Sequence, residues 1–302
     1  MSKTKVFIDG EAGTTGLRIY ERLENRNDID LLKIASELRK EVSERAKMLN
    51  AADFVFLCLP DDAAREAVSL IDNPDVKVID ASTAHRINPD WIYGFPELSP
   101  EHEQKIRCSK RVAVPGCYAS GFIALIYPLV SSGLLNVDES ISCFGISGYS
   151  GAGKLFIREY ESQKRNPELN SARLYALSQT HKHQPEMRAV CGLKYEPMFN
   201  PVIDDYYNGL ILSVPLQPRS LKNKITADEI KSLYKEQYQK GRVKFVNGDN
   251  VSFLAANALA NTDDMELYVF GNDERILLTA RFDNLGKGAS GAAVQCFDIM
   301  KS

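Results

Sequence analysis

Short apolar runs alternate with helical patterns over the first 115 residues of this chain, and few folds accommodate such an alternation. The apolar runs are β-rich and lie at 5–9, 30–35, 53–59, 76–80 and 111–114. Strands joined in turn by helices form right-handed βαβ units on a parallel sheet. Nearly continuous apolar strands are typical of a sheet buried on both faces. We therefore predict an α/β, Rossmann-type domain over residues 1–115.

A glycine-rich turn separates the first strand from the first helix. It reads Gly10-Glu-Ala-Gly13-Thr-Thr-Gly16. Glycines let the backbone approach a pyrophosphate, and a helix N-terminus supplies N–H donors to it. The spacing is G-x-x-G-x-x-G rather than G-x-G-x-x-G, so a tight turn without a ligand is the alternative. We predict that a dinucleotide is bound by Gly10, Gly13, Thr14, Thr15 and Gly16.

Polar residues after the second strand indicate which dinucleotide is bound. An acidic residue near this point usually binds the ribose hydroxyls of NAD. Here Ser36, Arg39 and Lys40 cluster, with Glu37 among them. Because cations suit a 2′-phosphate, we predict NADP(H) as the cofactor. The alternative is a solvated helix start in which Glu37 binds the ribose.

Cys117 lies where a turn opens into a helix. A strand-like run ends at Pro115-Gly116, and a helical run at 118–130 follows the cysteine. The N–H groups and the positive dipole end of a helix stabilise a thiolate, which is the nucleophilic form of cysteine. The same N–H groups could hold the oxyanion of a tetrahedral adduct. We predict that Cys117 is a catalytic nucleophile; the alternative is a buried structural cysteine.

Composition excludes several classes of protein. The net charge of −3 gives no general attraction to nucleic acid or to anionic membranes, and no apolar run approaches the ~20 residues of a membrane span. The six cysteines are scattered without a C-x-x-C pair, which argues against a disulfide framework or a zinc ribbon. With a strand predicted from residue 5, we expect no signal peptide. We therefore expect a cytoplasmic protein without nucleic-acid or membrane partners.

The pattern changes past about residue 135. Strand candidates lie at 141–146, 208–215, 243–246, 266–270 and 276–282, and Gly271-Asn272 is predicted to be a hairpin turn between the last two. Thr226-Ala-Asp-Glu229 is a capping box that opens a helix. We predict a second, α+β domain over 116–284 with an antiparallel or mixed sheet. The terminal helix within 285–302 is rich in Gly and Ala, and we predict that it returns to the first domain.

Two histidines and a glutamate lie close together at His181, His183 and Glu186. They could bind a metal, but no other Cys/His group supplies the remaining ligands, so we predict no metal site. We interpret the histidines as acid–base or anion-binding groups near the thiol. Side chains two residues apart point to opposite sides of an extended segment, and which histidine is the acid–base group stays open. Glu186 either orients a histidine or supplies charge at a helix N-terminus.

Taken together, these motifs resemble the short form of the N-acetyl-γ-glutamyl-phosphate reductase family over almost the whole chain. The specific pair is Pro115-Gly-Cys-Tyr-Ala119 followed by His181-Lys-His-Gln-Pro-Glu186. Ser120 stands where the family usually has Thr, and this serine retains the hydroxyl group. The other matching motifs are Cys58-Leu-Pro-Asp-Asp62, Asp80-Ala-Ser-Thr-Ala-His-Arg86, Tyr93-Gly-Phe-Pro-Glu97, Gly148-Tyr-Ser-Gly-Ala-Gly153 and Asn284-Leu-Gly-Lys-Gly-Ala289.

The resemblance implies NADPH-dependent reduction of an acyl phosphate to an aldehyde in arginine biosynthesis. Phosphate would be released through a thioacyl intermediate on Cys117, in a homotetramer or homodimer. We expect further cofactor contacts from Cys58, Pro60, Asn284 and Gly286, and substrate contacts from Ser82, Arg86, Ser147 and Gly148. The alternatives are a related semialdehyde dehydrogenase acting on aspartyl or aminoadipyl phosphate, or a non-catalytic NADP-binding sensor.

Overall fold

The computed structural model describes residues 3–218, 221 and 226–302, which form two compact units. The first unit contains the chain up to Phe95, Glu103–Pro115 and Ala289–Ser302. The second contains Pro96–His102 and Gly116–Gly288. Compared with the division expected from the sequence, residues 96–102 and 285–288 cluster with the second unit, where Glu97 and Lys287 form an ion pair.

Six parallel strands form the sheet of the first unit, in the order β2-β1-β3-β4-β6-β5. Strand β2 is added on one side of β1 and the later strands on the other side, which is the strand order of a doubly wound fold. The strands are β1 (Thr4–Asp9), β2 (Ile29–Leu32), β3 (Phe54–Leu57), β4 (Lys77–Asp80), β5 (Ile92–Tyr93) and β6 (Arg111–Ala113). The helices between them are α1 (Thr14–Leu23), α2 (Val42–Ala51), α3 (Asp61–Ser69) and α4 (Pro100–Cys108).

Helices cover both faces of this sheet, as the continuously apolar strands predict. Successive side chains of a strand point to opposite faces. Accordingly, Val6 and Ile8 join one core cluster and Phe7 joins another. The Rossmann-type parallel sheet is confirmed.

The last helix, α9 (Gly291–Lys301), belongs to the first unit. It follows a single π-helical turn at Gly286–Ser290, whereas the sequence predicted one helix from about residue 288. Phe297 packs edge-on against Phe54, with ring centroids 4.8 Å apart, and lies 5.8 Å from Phe56. The small residues Ala292 and Ala293 are fully buried in the same cluster.

Among the described residues of the second unit, seven strands form a mixed sheet in the order β11-β12-β13-β10-β7-β9-β8. The β11–β12 and β7–β9 pairs are parallel and the other pairs are antiparallel. The strands are β7 (Ser142–Gly148), β8 (Arg173–Leu174), β9 (Met198–Asp204), β10 (Leu210–Leu216), β11 (Val243–Phe245), β12 (Met265–Asn272) and β13 (Arg275–Phe282). The helices are α5 (Cys117–Ser131), α6 (Lys154–Glu161), α7 (Gln184–Cys191) and α8 (Ala227–Gln237).

Helix α5 is the centre of this unit. Its side chains are apolar nearly all round, which is typical of a helix surrounded by protein. It packs on β10 and β13 and beside α7. Gly121 permits this approach, because an added Cβ would lie 2.8 Å from the ring of Phe282. Within the described ranges no helix, α5 included, is long and apolar enough to cross a membrane.

Two local predictions for the second unit have different outcomes. The capping box is confirmed, since the Thr226 side chain accepts from the N–H of Glu229 and the Glu229 carboxylate accepts from the N–H of Thr226. The hairpin between β12 and β13 is confirmed, but its turn residues were wrong. Gly271 and Asn272 pair within the ladder, and the two loop residues are Asp273 and Glu274.

Candidate active site and nucleotide pocket

Cys117 is the first residue of α5, as the sequence predicts. Gly116 is the N-cap residue in an extended conformation, and its carbonyl accepts the first helical bond from the N–H of Ser120 at 2.8 Å. The side chain of Ser120 also donates to that carbonyl, at 3.1 Å. The N–H groups of the first turn of a helix point out of its end. This end of α5 is therefore suited to a thiolate or an oxyanion.

Glu186 holds the turn that precedes the cysteine. It lies in the first turn of α7, is 1% exposed, and accepts a hydrogen bond of 3.1 Å from the N–H of Gly116. From the sequence we predicted that Glu186 either orients a histidine or supplies charge at a helix N-terminus. Both roles stay predictions; the structure shows that Glu186 lies in the first turn of α7 and links this helix to the start of α5.

The two histidines lie together and beside the residue that follows Cys117. Their ring centroids are 4.6 Å apart, and each is 6.1 Å from the ring of Tyr118. The N–H of His183 donates to Nδ1 of His181 at 3.1 Å. His183 is buried and caps α7, whereas His181 is half-buried. The structure therefore brings the histidine pair to the N-terminal end of α5.

Aromatic side chains surround this histidine pair. The rings of Tyr175 and Phe199 lie 5.8 and 5.1 Å from that of His181. Tyr118 donates to the carbonyl of Val202 at 3.1 Å. Burial raises the pKa of Tyr118 and of Tyr175, and the nearby Cys117 contributes to both shifts. Both phenols are therefore neutral near pH 7.

The chain returns to Cys117 at Gly288. An added Cβ at Gly288 would lie 2.9 Å from the Cβ of Cys117 and 3.3 Å from its Cα. The glycine-rich composition of this segment predicted close packing against another backbone or a cofactor, and the main chain of Cys117 is that neighbour. Sequence reasoning did not single out this glycine.

The residues before Gly288 are held by buried side chains. Asp283 accepts from the N–H groups of Leu285 and Gly286 at 2.7 and 3.1 Å. Asn284, 1% exposed, accepts from the N–H of Gly209 at 2.8 Å and donates to Ser150 at 2.8 Å. The amide of Asn284 thus stabilises the second unit, and its cofactor contact stays a prediction. For Gly286, an added Cβ would meet the carbonyl of Thr262.

The remaining predicted substrate residues of this unit lie at the end of β7. The hydroxyl of Ser147 donates to the carbonyl of Gly148 at 3.1 Å. An added Cβ at Gly148 would lie 2.4 Å from the carbonyl oxygen of Tyr207, so the backbone packing requires glycine. Their contact with substrate stays a prediction.

The glycine-rich turn of the first unit joins β1 to α1 as predicted. Gly10 has φ +90°, and an added Cβ there would lie 2.4 Å from the carbonyl oxygen of Cys58. Gly16 approaches the carbonyl of Gly10 in the same way, at 2.3 Å. Gly13 is the N-cap of α1, which begins at Thr14 and has no acidic residue in its first turn. Thr15 is the second residue of that helix. The turn therefore fits a pyrophosphate.

A pocket of about 360 Å³ lies beside this turn. Its lining includes Gly10, the cations Arg39, Lys40 and Arg45, and the acidic residues Asp9 and Glu11. Two of the three residues predicted to recognise the 2′-phosphate therefore line the pocket next to the glycine turn. Ser36 lies in the same turn as these two, and its carbonyl accepts from Nε of Arg39 at 3.1 Å.

Sequence reasoning missed a buried ion pair between Asp9 and Arg45, two residues that line this pocket. Arg45 of α2 contacts Asp9 at 2.9 Å and Glu66 at 2.8 Å. Burial raises the pKa of Asp9, and Arg45 opposes that rise. No sequence signal could have found it, because α2 itself was not predicted. Two more predicted cofactor residues, Cys58 and Pro60, follow β3, and Pro60 is the N-cap residue of α3.

The motif after β4 forms a buried hydrogen-bonded cluster. Asp80, fully buried, accepts from the hydroxyl of Ser82 at 2.7 Å and lies 2.6 Å from Nδ1 of His85. Arg86 donates to the carbonyls of Val114, at 2.9 Å, and Ala81, at 3.3 Å. The hydroxyl of Ser82 thus holds this turn, and the substrate contacts of Ser82 and Arg86 stay predictions.

The other thiols differ from Cys117 in their surroundings. Cys143, Cys191 and Cys296 are buried, Cys58 is half-buried, and Cys108 is exposed. Burial raises the pKa of Cys58, Cys143 and Cys191 well above the usual value, because a low-polarity environment disfavours the thiolate. None of these thiols begins a helix, as Cys117 does.

Known families match both units of the chain in order. Residues 5–106 match the NAD binding domain of semialdehyde dehydrogenase, and residues 117–284 match its dimerisation domain. The chain is similar over the full length to solved structures of aspartate semialdehyde dehydrogenases. One from Vibrio cholerae, in complex with ASA, has a TM-score of 0.75 at 18% identity and covers 100% of this chain and 99% of that one. One from Candida albicans, with NADP, has a TM-score of 0.69 at 14% identity over 99% of each chain. At these identities the likeness shows the fold.

Relatives of higher identity narrow the assignment. The N-acetyl-gamma-glutamyl-phosphate reductase 2 of a Nostoc species is 45% identical over 99% of this chain and 97% of the relative. That of Pseudomonas putida is 46% identical over 98% and 96%, and the reductase of a Chelativorans species is 46% identical over 99% and 98%. Because relatives nearly half identical match from end to end, the chain belongs to the N-acetyl-gamma-glutamyl-phosphate reductases within the semialdehyde dehydrogenase family.

Proposed function

We propose that this chain is the NADPH-dependent oxidoreductase that converts N-acetyl-γ-glutamyl phosphate to N-acetylglutamate 5-semialdehyde and phosphate in arginine biosynthesis. The observation that supports it most is the position of Cys117, the first residue of α5, with the histidine pair beside Tyr118. Family membership supports the substrate, since the relatives matched end to end are named for this reaction.

Cys117 acts first in the proposed reaction. Its thiolate attacks the γ-carbonyl of the acyl phosphate, the C–O bond to phosphate breaks, and a thioester forms. N–H groups at the start of α5 stabilise the oxyanion of the tetrahedral adduct. Glu186 maintains this arrangement through its hydrogen bond with Gly116.

The first half of the reaction also needs a proton, which the departing phosphate takes up. The second half needs a hydride at the thioester carbon, after which the tetrahedral adduct collapses to the aldehyde and regenerates the Cys117 thiolate. NADPH, held by the glycine turn at Gly10–Gly16 and by Arg39 and Lys40, supplies the hydride when bound. We assign the proton transfer to His181. Its Nδ1 accepts from the N–H of His183, so the neutral ring has its proton on Nε2. His181 is also the more accessible of the pair.

We further propose that the protein is a homodimer or homotetramer in the cytoplasm. The match of residues 117–284 to a dimerisation domain supports assembly through the second unit. Sedimentation velocity at several protein concentrations tests it; a monomer at micromolar concentration would contradict it.

The experiment that tests the function runs the reaction in reverse. N-acetylglutamate semialdehyde, phosphate and NADP are mixed with the protein, and formation of reduced cofactor is followed by absorbance. We expect reduction that needs all three components and that is lost in Cys117→Ser, while the affinity of that variant for NADP is unchanged.

Aspartate semialdehyde serves as the control substrate. Activity with aspartate semialdehyde and none with N-acetylglutamate semialdehyde would contradict the proposed substrate and favour that of the aspartate semialdehyde dehydrogenases. If the folded protein binds NADP but forms no reduced cofactor with either aldehyde, the result would favour a non-catalytic sensor. Loss of NADP binding in Cys117→Ser would indicate that the cysteine supports folding.

A further inference from the structure

A buried lysine lies next to the glycine that contacts Cys117. Lys287 is fully buried and stands between Gly286 and Gly288. Both glycines are crowded, because an added Cβ at the first would meet the carbonyl of Thr262 and at the second would meet Cys117. Within this tripeptide only Lys287 has a side chain that can fix the main chain in place.

That side chain forms a two-pronged ion pair. Nζ of Lys287 lies 2.8 and 2.7 Å from the two carboxylate oxygens of Glu97, whose side chain is 5% exposed. Moving both charges out of water is costly, and a well-packed apolar pair of similar volume is often equally stable. The ion pair is therefore better explained by the geometry that it imposes than by stability.

Glu97 is itself held in position. The side-chain amide of Gln237, at the end of α8, donates to the carbonyls of Glu97 and Leu98 at 3.0 and 2.9 Å. The N–H of Arg242 donates to the Glu97 carboxylate at 3.3 Å. Lys287 is thus bound to a carboxylate whose backbone and side chain both have further partners.

We propose that Lys287 and Glu97 are positioning residues for Cys117. Their ion pair holds the main chain of Gly288 against the Cβ of the cysteine and so limits the directions that its Sγ can take. The thiol then points in one direction relative to the end of α5. The effect on turnover rests on the proposed function, whereas the effect on thiol reactivity does not.

The test compares Lys287→Met, Glu97→Gln and the double variant K287M/E97L, which replaces the pair by apolar groups. All are made with Cys108→Ser, so that the exposed thiol does not react. Three quantities are measured: the pH dependence of the iodoacetamide reaction at Cys117, kcat and KM of the reverse reaction, and the melting temperature.

We expect the double variant to melt close to its parent. Its kcat should fall about tenfold or more with KM changed less than about threefold, because misplacing a reacting group slows chemistry more than binding. In the double variant, the rate of Cys117 alkylation or the midpoint of its pH dependence should also change. The two single variants should also show a lower kcat with little change in KM, and in addition a lower melting temperature.

Leu49→Ala is the stability control. It removes a fully buried side chain of α2 from a core cluster of the first unit, so it should lower the melting temperature and leave the alkylation profile unchanged. A double variant with the parent's kcat and alkylation profile would overturn the proposal. If the parent protein lacks reductase activity, the proposed function fails, and the alkylation profiles still decide whether the ion pair positions the thiol.

Discussion

The backbone N–H of His183 donates to Nδ1 of His181 at a distance of 3.1 Å. Sequence reasoning left the roles of these two histidines open, because their spacing of two residues said nothing about which nitrogen each presents. The hydrogen bond gives the two rings different surroundings, and on this ground we propose His181 as the acid–base group. It fixes the ring of His181 and the position of its proton, whereas His183 is buried at the cap of α7.

Replacing His181 should therefore cost more turnover than replacing His183. An asparagine at position 181 retains an acceptor for the N–H of His183 but cannot transfer the proton. We expect kcat to fall by about 10²–10⁴, the usual contribution of general acid–base catalysis. His183→Asn is the matched control. Steady-state kinetics of the reverse reaction give the comparison, and a larger loss in the control would reassign the acid–base group.

Alkylation of the folded protein should select Cys117. Burial raises the pKa of Cys58, Cys143 and Cys191, so these thiols contain little thiolate at pH 8. A helix N-terminus favours the thiolate of Cys117. Cys108 is exposed and would react as background, so the measurement uses Cys108→Ser. Mass spectrometry should find Cys117 modified before any other thiol, and bound acyl phosphate should slow its modification. Equal labelling of all five remaining thiols would contradict its activation.

The cations of the nucleotide pocket should set the preference for NADPH over NADH. Arg39 and Lys40 line the pocket beside the glycine turn. A hydrogen bond to a charged group contributes about 1.5–3 kcal/mol, and solvent screening reduces this contribution for exposed side chains such as Arg39 and Lys40. The double variant R39A/K40A should therefore raise the Kd for NADPH by at least about tenfold and leave that for NADH nearly unchanged. Fluorescence titration measures both. Equal losses would remove these residues from 2′-phosphate recognition.

Gly288→Ala should slow the enzyme through the contact with Cys117. The added methyl would lie 2.9 Å from the Cβ of the cysteine, and overpacking of this kind costs about 1–3 kcal/mol. Gly94→Ala is a matched control, because its methyl would lie 3.0 Å from Sγ of Cys296. Both variants should melt at lower temperature, and only Gly288→Ala should also lose kcat and change the rate of Cys117 alkylation. Equal kcat in the two variants would contradict a role for Gly288 at the thiol.

Local signals predicted much of this fold. The apolar runs at β1, β3, β4 and β6 and the capping box at Thr226 depend on neighbours in the sequence, and the structure confirms them. Helix α2 was missed because its apolar stripe is weak between many charged residues. Strand β9 was missed because Asn200 and Pro201 interrupt its pattern, and its pairing with β7 compensates for this.

The site was only partly predictable, for a physical reason. The position of Cys117 at the start of α5 was predictable because adjacent residues create it, namely the Pro115-Gly116 turn and the helix that follows. The pairing of Lys287 with Glu97 joins residues 190 positions apart, and the bond from Gly116 to Glu186 spans 70. Neither the periodicity nor the spacing of a single sequence encodes such distant contacts.

The position of α9 has a consequence for how the protein is made. Phe54 and Phe56 pack on Phe297, which lies five residues before the last residue of the chain, Ser302. During translation the ribosome releases the first 115 residues long before it releases this helix. The part of this sheet face that α9 covers, beside Ile19 and Leu23 of α1, must therefore stay exposed to chaperones or to other nascent chains until the helix has been translated. A ribosome that stalls just before the codons for α9 would release a chain that contains Cys117, the histidine pair and Lys287 but lacks the helix that completes the core of the first unit.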